Sequence, residues 1–83
     1  RDGDEHPSVL SNLALLESVN GNGKLAYELV EKAMEMDAKS IDVLLTAHKV
    51  FTNLDDKEKI DGVLESIQNV APDDARVLNL LFV

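Results

Sequence analysis

A pair of adjacent apolar residues recurs along the chain at a constant spacing, which limits the folds open to it more than any other feature. A valine–leucine pair begins at Val9, at Val43 and at Val77, and the offset is the same both times (43 − 9 = 34, 77 − 43 = 34). The residues between the pairs match at the same shift, and Val30 falls on Leu64. A unit of this length cannot bury its own apolar face, so the repeat predicts units stacked side by side around a continuous core.

Within each unit, apolar residues return every three or four positions, the spacing of a helix with one buried face. No alternating run is long enough to predict a strand. Connections of about two to five residues make neighbouring helices antiparallel. The sequence therefore predicts an all-α protein with helices at residues 8–20, 24–36, 41–53, 57–70 and 75–83.

The residues between these segments carry the signals that begin and end helices. Pro7 suits a first helical position, and two glycines and two asparagines at 20–23 favour a tight turn. Ser40 can cap the third helix, and Asp55 with a glutamate three residues later resembles a capping box. Pro72 ends the fourth helix.

A helix–turn–helix unit that repeats with a period of about 34 residues resembles the tetratricopeptide repeat family. The family pattern places large and small apolar residues at set positions, and this chain offers Leu10, Leu13, Ala14, Ala26, Val30 and Ala33 in the first unit. The second unit offers Leu44, Ala47, Phe51, Ile60, Leu64, Ile67 and Pro72. The resemblance implies an α-solenoid of about two and a half antiparallel units. Another antiparallel helical repeat and a plain bundle are the alternatives.

The chain departs from the family pattern at four positions. Glu17 stands where an aromatic residue is expected, and His48 where a small one is expected. Ile60 and Ile67 replace alanines, so we expect the two helices of the second unit to pack further apart. The residues expected in the core are Leu10, Leu13, Ala26, Leu29, Val30, Ala33, Leu44, Ala47, Phe51, Leu64 and Ile67.

Length and composition indicate one globular domain at residues 7–83, preceded by a flexible acidic tail at residues 1–6. The formal net charge of -8 argues against binding to nucleic acid or to an anionic membrane surface, since both need a basic face. No apolar run approaches the roughly 20 residues that cross a membrane. The chain has no cysteine, hence no disulfide or thiolate metal site, and its compartment stays open.

The sequence offers no constellation of residues that predicts catalysis, so we expect a protein that is not an enzyme and has no cofactor. His48 has no nucleophile or orienting partner in any motif. His6 has acidic neighbours but lies in the tail, without the support that metal ligands need. The segment from Asn20 superficially resembles a calcium loop, but Leu25 stands where that loop requires glycine.

The resemblance also implies a binding surface, because the first helices of tetratricopeptide units line a concave groove that receives a peptide or a partner protein. In this chain the groove would present Ser8, Ser11, Asn12, Leu15, Asp42, Leu45, Thr46, Lys49, Arg76, Asn79 and Leu80. Some family members clamp the carboxylate tails of chaperones with lysines, arginines and asparagines. Ser11, Leu15 and Thr46 stand at three of those clamp positions, and only Arg76 keeps a basic residue at one of them, so that function is not expected.

The resulting interpretation is a protein-interaction scaffold. Two alternatives remain open: a structural segment of a larger solenoid, and an accessory domain of an enzyme whose catalytic part lies elsewhere. The last predicted helix, 75–83, is apolar on nearly every side. We therefore expect either a native chain that continues past Val83 or self-association through this helix.

Overall fold

The computed structural model describes residues 6–75, which form four α-helices and no strand. The helices are α1 (Pro7–Val19), α2 (Gly23–Met36), α3 (Ile41–Asn53) and α4 (Lys57–Val70). The all-α prediction is confirmed for this part of the chain, and each of its four helices begins and ends within one residue of the expected position. The predicted helix at 75–83 lies beyond the described residues, apart from its first position.

The helix bounds repeat at the spacing found in the sequence. Shifting α1 by one repeat period gives the bounds of α3, and shifting α2 by the same amount gives those of α4 (7 to 41, 19 to 53, 23 to 57, 36 to 70). The described chain therefore contains two helix–turn–helix units of equal length.

The turn inside each unit has the same backbone structure. Gly21 has φ +88° in the first turn, and Asp55, at the equivalent position of the second unit, has φ +58°. The amide of Asn22 donates to the carbonyl of Glu17 at 2.8 Å, and the amide of Asp56 donates to that of Phe51 at 3.1 Å. Glycine and aspartate both tolerate the left-handed conformation, so the two turns can share a geometry without sharing residues.

Side-chain caps position the second unit. The Ser40 hydroxyl accepts a hydrogen bond from the Val43 amide at 3.4 Å, as its predicted cap role requires. The prediction of Asp55 as the cap of α4 is wrong, because Asp55 occupies the left-handed turn position. Asp56 is the cap instead, and its carboxylate accepts from the Lys59 amide at 3.2 Å.

Helices α1, α2 and α3 pack against one another, and α4 packs mainly against α3. α1 packs on both α2 and α3, while α3 packs on α4 and over a smaller area on α2. The α1–α2 contact is more extensive than the α3–α4 contact. This difference agrees with the expectation that Ile60 and Ile67 separate the helices of the second unit, where Ala26 and Ala33 let those of the first approach closely.

Most of the predicted core residues are buried, with Leu44 and Phe51 at its centre. The prediction that Leu13 is a core residue is wrong, since 42% of its surface is exposed. Leu29 and Leu64 are only half-buried. The core also contains residues that were not predicted: Ser11, Ala14, Val43, Val50 and Val63.

Candidate binding surfaces

The predicted groove residues of the first two units lie on α1 and α3, which pack side by side. Four of them are exposed: Ser8, Asn12, Asp42 and Lys49. Three more are half-buried: Leu15, Leu45 and Thr46. Of these, Leu15 and Leu45 pack against the main core, so they contribute to the fold as well as to this surface.

Ser11 does not belong to the exposed surface. Its side chain is only 1% exposed, and its hydroxyl donates to the Ser8 carbonyl oxygen at 3.0 Å. Its prediction as a groove residue is therefore wrong, because a buried hydroxyl satisfied within its own helix presents nothing to a ligand. Arg76, Asn79 and Leu80 lie outside the described residues.

A separate cleft of about 750 Å³ opens between α2 and α4. At its base lie Leu44, Phe51 and Val63, each at most 2% exposed, together with the half-buried Met34. This volume is within the range of sites that hold small ligands or peptide side chains. An apolar base beneath two helices can therefore take up an apolar group.

Carboxylates dominate the rim of this cleft. Glu31 and Glu35 line it from α2, and Glu58 from α4. Lys59 also lines it, and its ammonium lies 2.9 Å from a carboxylate oxygen of Glu31. The hydrogen bond from Lys59 to Glu31 and the charge of that carboxylate raise the pKa of Lys59. Because the charges of Lys59 and Glu31 cancel, the carboxylates of Glu35 and Glu58 give the rim a net negative charge.

A second polar contact joins α2 to the start of α4. The Tyr27 hydroxyl donates to the Asp56 carboxylate, whose other oxygen caps α4. The Tyr27 ring packs against Phe51 with centroids 5.8 Å apart. The hydrogen bond to Asp56, with help from burial and nearby negative charge, raises the pKa of Tyr27 to about 12. The same hydrogen bond lowers the pKa of Asp56. Sequence patterns missed this contact, which joins residues 29 positions apart.

Titration of the single tyrosine should report this contact directly. We expect a tyrosinate absorbance titration with a midpoint near 12, because ionising Tyr27 breaks its hydrogen bond and places two anions together. A raised pKa means that the contact stabilises the fold fully below pH 10.0, the ordinary value, and that this stability is lost as the pH rises toward about 12. Asp56→Asn should move the midpoint back toward 10.0, whereas Asp55→Asn should not. A wild-type midpoint near 10.0 would contradict the contact.

One face of α1 is apolar and exposed. Val9 is 56% exposed, Leu13 42% and Leu16 59%. Their counterparts one repeat period later in α3 are Val43, Ala47 and Val50, each at most 1% exposed. In α3 these residues belong to the two core clusters, which also contain residues of α1, α2 and α4. The face of α1 defined by Val9, Leu13 and Leu16 is therefore exposed where the equivalent face of α3 is buried.

The carboxylates and histidines of residues 6–75 do not gather into a metal-binding cluster. They contain no group of three or more histidine, aspartate or glutamate side chains that could hold a metal ion. His48 is half-buried, and burial lowers the pKa of its imidazole, which favours the neutral ring. His6 is exposed at the start of α1. Between residues 6 and 75, no helix is both long and apolar enough to span a membrane.

The α1–α3 surface, the α2–α4 cleft and the exposed face of α1 are thus the places where a ligand could be held. The first two lie between helices of the two units, and the third lies on a single helix. The chain matches no model of a known protein family, no curated protein and no solved structure, so its function is inferred from its own residues.

Proposed function

We propose that the chain is a tetratricopeptide-like interaction module that binds a peptide or partner protein along the α1–α3 surface. The observation that carries this proposal is the repetition, at one constant interval, of the helix bounds and of the turn hydrogen bonds. That interval, from 7 to 41 and from 23 to 57, equals the period of the family. The matching turns support the resemblance independently of side-chain identity.

The order of helix contacts supports stacked units over a closed bundle. In a closed four-helix bundle, α1 and α4 would pack against each other around the central core. Here the extensive contacts of α1 are with α2 and α3, and those of α4 are with α3. Stacked units leave the first helices side by side, which is the arrangement that makes an extended binding surface.

The chemistry of the α1–α3 surface suits an uncharged or mixed peptide. It offers the amide of Asn12 and the ammonium of Lys49, together with the half-buried Leu15, Leu45 and Thr46. Polar groups beside modest apolar area are typical of surfaces that hold peptides by a few hydrogen bonds and short apolar contacts.

The test is to select peptides from a random displayed library on the immobilised chain and to measure their affinity for variants. Replacing Asn12, Lys49 and Arg76 together by alanine should lower the affinity for groove-binding peptides by roughly tenfold or more, equivalent to about 1.4 kcal/mol of binding free energy. The fold should survive the changes at Asn12 and Lys49, because both residues are exposed and exposed substitutions usually change stability by no more than about 0.5 kcal/mol.

Glu28→Ala with Glu65→Ala provides the matched control, since both residues are exposed on α2 and α4 and neither lines a proposed site. This control should leave every affinity unchanged. If all selected peptides bind the triple variant as tightly as the wild type, the α1–α3 surface is not the binding site.

The exposed face of α1 favours a second candidate function, that of an assembly segment in a longer solenoid. The occupant that fits is another helix–turn–helix unit, because the equivalent residues of α3 are buried in clusters that include residues of the first unit. Leu13 and Leu16 are larger than Ala47 and Val50, so an added unit would pack against bulkier side chains on α1 than the ones at the equivalent positions of α3.

A duplicated first unit tests this candidate. Placing a second copy of residues 7–40 before Pro7 keeps the repeat period and seats a unit on α1. We expect the Tm to rise, since each added unit contributes its interface to stability. Leu13→Ala with Leu16→Val, which reproduces the α3 surface, should preserve or increase this gain. An unchanged or lower Tm in both forms would contradict the assembly role.

A further inference from the structure

We propose that the α2–α4 cleft is a second binding site, specific for a peptide segment that carries an apolar side chain beside lysine or arginine. This site goes beyond the groove of the proposed function, because it lies between the second helices of the two units and shares no residue with the predicted groove.

Polar contacts connect the two helices at the start of α4, and several of the residues that line the cleft between them are short. Tyr27 reaches Asp56, and Glu31 reaches Lys59, so two polar contacts connect α2 to the first turn of α4. The lining also includes three short residues, Ala38, Gly62 and Ser66, of which Gly62 on α4 is the smallest.

The space at Gly62 is open. A Cβ atom built on this residue would meet no other atom within 4 Å, apart from its own helix and chain neighbours. A glycine inside a helix destabilises it by comparison with alanine, so Gly62 has no local advantage for the fold. Ala38 and Ser66 also line this part of the cleft, and both are small. An entering side chain can therefore reach the apolar base formed by Leu44 and Phe51.

The charge of the rim selects the neighbours of that side chain. Glu35 and Glu58 face the cleft from opposite helices, whereas the lysine on the rim is engaged by Glu31. The chain as a whole carries a formal charge of -8. Both the local and the overall field therefore favour a cationic peptide and repel an acidic one.

The experiment uses a fluorescein-labelled peptide in which leucine and phenylalanine alternate with lysine and arginine. Two matched peptides replace either the basic residues by glutamate or the apolar residues by serine. Fluorescence anisotropy should show binding of the first peptide alone. In labelled protein, the amide signals of Gly62 and Val63 should shift on binding, while those of Asn12 and Lys49 should not.

Two variants, each with a matched control, test the site itself. Gly62→Leu fills the open space with a good helix former and should abolish binding while the helical signal and Tm are kept or raised. Glu35→Lys with Glu58→Lys should weaken binding by roughly tenfold or more. Glu28→Lys with Glu65→Lys makes the same change in net charge on the same two helices, and it should have a much smaller effect. Gly62→Ala adds only a methyl group and should still bind.

The proposal is overturned if the basic apolar peptide fails to bind at roughly 1 mM protein, or if the serine peptide binds equally well. It is also overturned if Gly62→Leu binds normally, or if the two lysine pairs weaken binding equally, since bulk charge would then account for the effect. The groove variant of Asn12, Lys49 and Arg76 should bind this peptide as the wild type does. Failure of one site therefore leaves the other independently testable.

Discussion

Phe51→Ala should lower the free energy of unfolding by about 3–5 kcal/mol. The Phe51 side chain is 1% exposed, contacts the Tyr27 ring, and lies at the base of the α2–α4 cleft, so its loss opens a cavity shared by three helices. In a domain of this size each kcal/mol lowers the Tm by about 4–8 °C. Urea denaturation and thermal unfolding, followed by circular dichroism, measure the loss.

Leu25→Ala is the matched control for this prediction. It also truncates a large apolar side chain, but Leu25 is 43% exposed on α2. We expect a cost well below that of Phe51→Ala, because little area is removed from water at this position on folding. Equal costs for the two variants would contradict the placement of the core.

Val50→Asp should be still more damaging, with a loss of about 4 kcal/mol or more. Val50 is fully buried in the main core, so the carboxylate would be placed where nothing compensates its charge. We expect a chain that is largely unfolded at neutral pH and that regains helical signal as the pH falls toward the pKa of the new carboxyl group. Circular dichroism between neutral and acidic pH measures both effects.

Leu16→Asp places the same change at the equivalent position of the first unit, one repeat period earlier. Leu16 is 59% exposed, so the expected change in stability is within about 0.5 kcal/mol. The difference in stability loss between Val50→Asp and Leu16→Asp therefore measures how much more deeply this face is buried in α3 than in α1. Similar losses at both positions would show that the exposed face of α1 is covered in solution.

The helices could be predicted closely because their signals are local. Pro7 and Ser40 mark helix starts, and the two turns contain residues that tolerate left-handed backbone at Gly21 and Asp55. The constant repeat period also transfers a boundary found in one unit to the other. Only the choice of cap in the third turn was wrong, because two adjacent aspartates can each fill that role and the left-handed position settles which one does.

Burial was harder to predict, because a helical period identifies an apolar face but not what covers it. Leu13 is apolar and correctly spaced, yet it faces the side where a preceding unit would lie, and it is 42% exposed. Its counterpart Ala47 is buried, in the core cluster that α3 shares with the other three helices. The prediction for Ser11 is wrong in the opposite sense, because this polar residue is 1% exposed and its hydroxyl donates to the Ser8 carbonyl within its own helix.

The cleft had almost no signal in the sequence. It depends on the gap between two helices that are not adjacent in the chain, and on short side chains at Ala38, Gly62 and Ser66. The isolated glycine within a helical pattern was the only local sign, and such a glycine often marks a packing or functional constraint. The Tyr27–Asp56 contact is likewise non-local, so neither periodicity nor capping rules predict it.

The two-unit arrangement is the claim on which the groove, the cleft and the exposed face of α1 all depend. Nuclear Overhauser effects between methyl groups in specifically labelled protein test it most directly. We predict strong effects joining Leu10 and Ala33 to Val43, since these residues form one buried cluster between the two units. We predict no comparable set of nuclear Overhauser effects between the methyl groups of α1 and those of Val63 and Ile67 in α4. A network of strong α1–α4 effects, with the Leu10–Val43 contact missing, would show a closed four-helix bundle and would contradict the account.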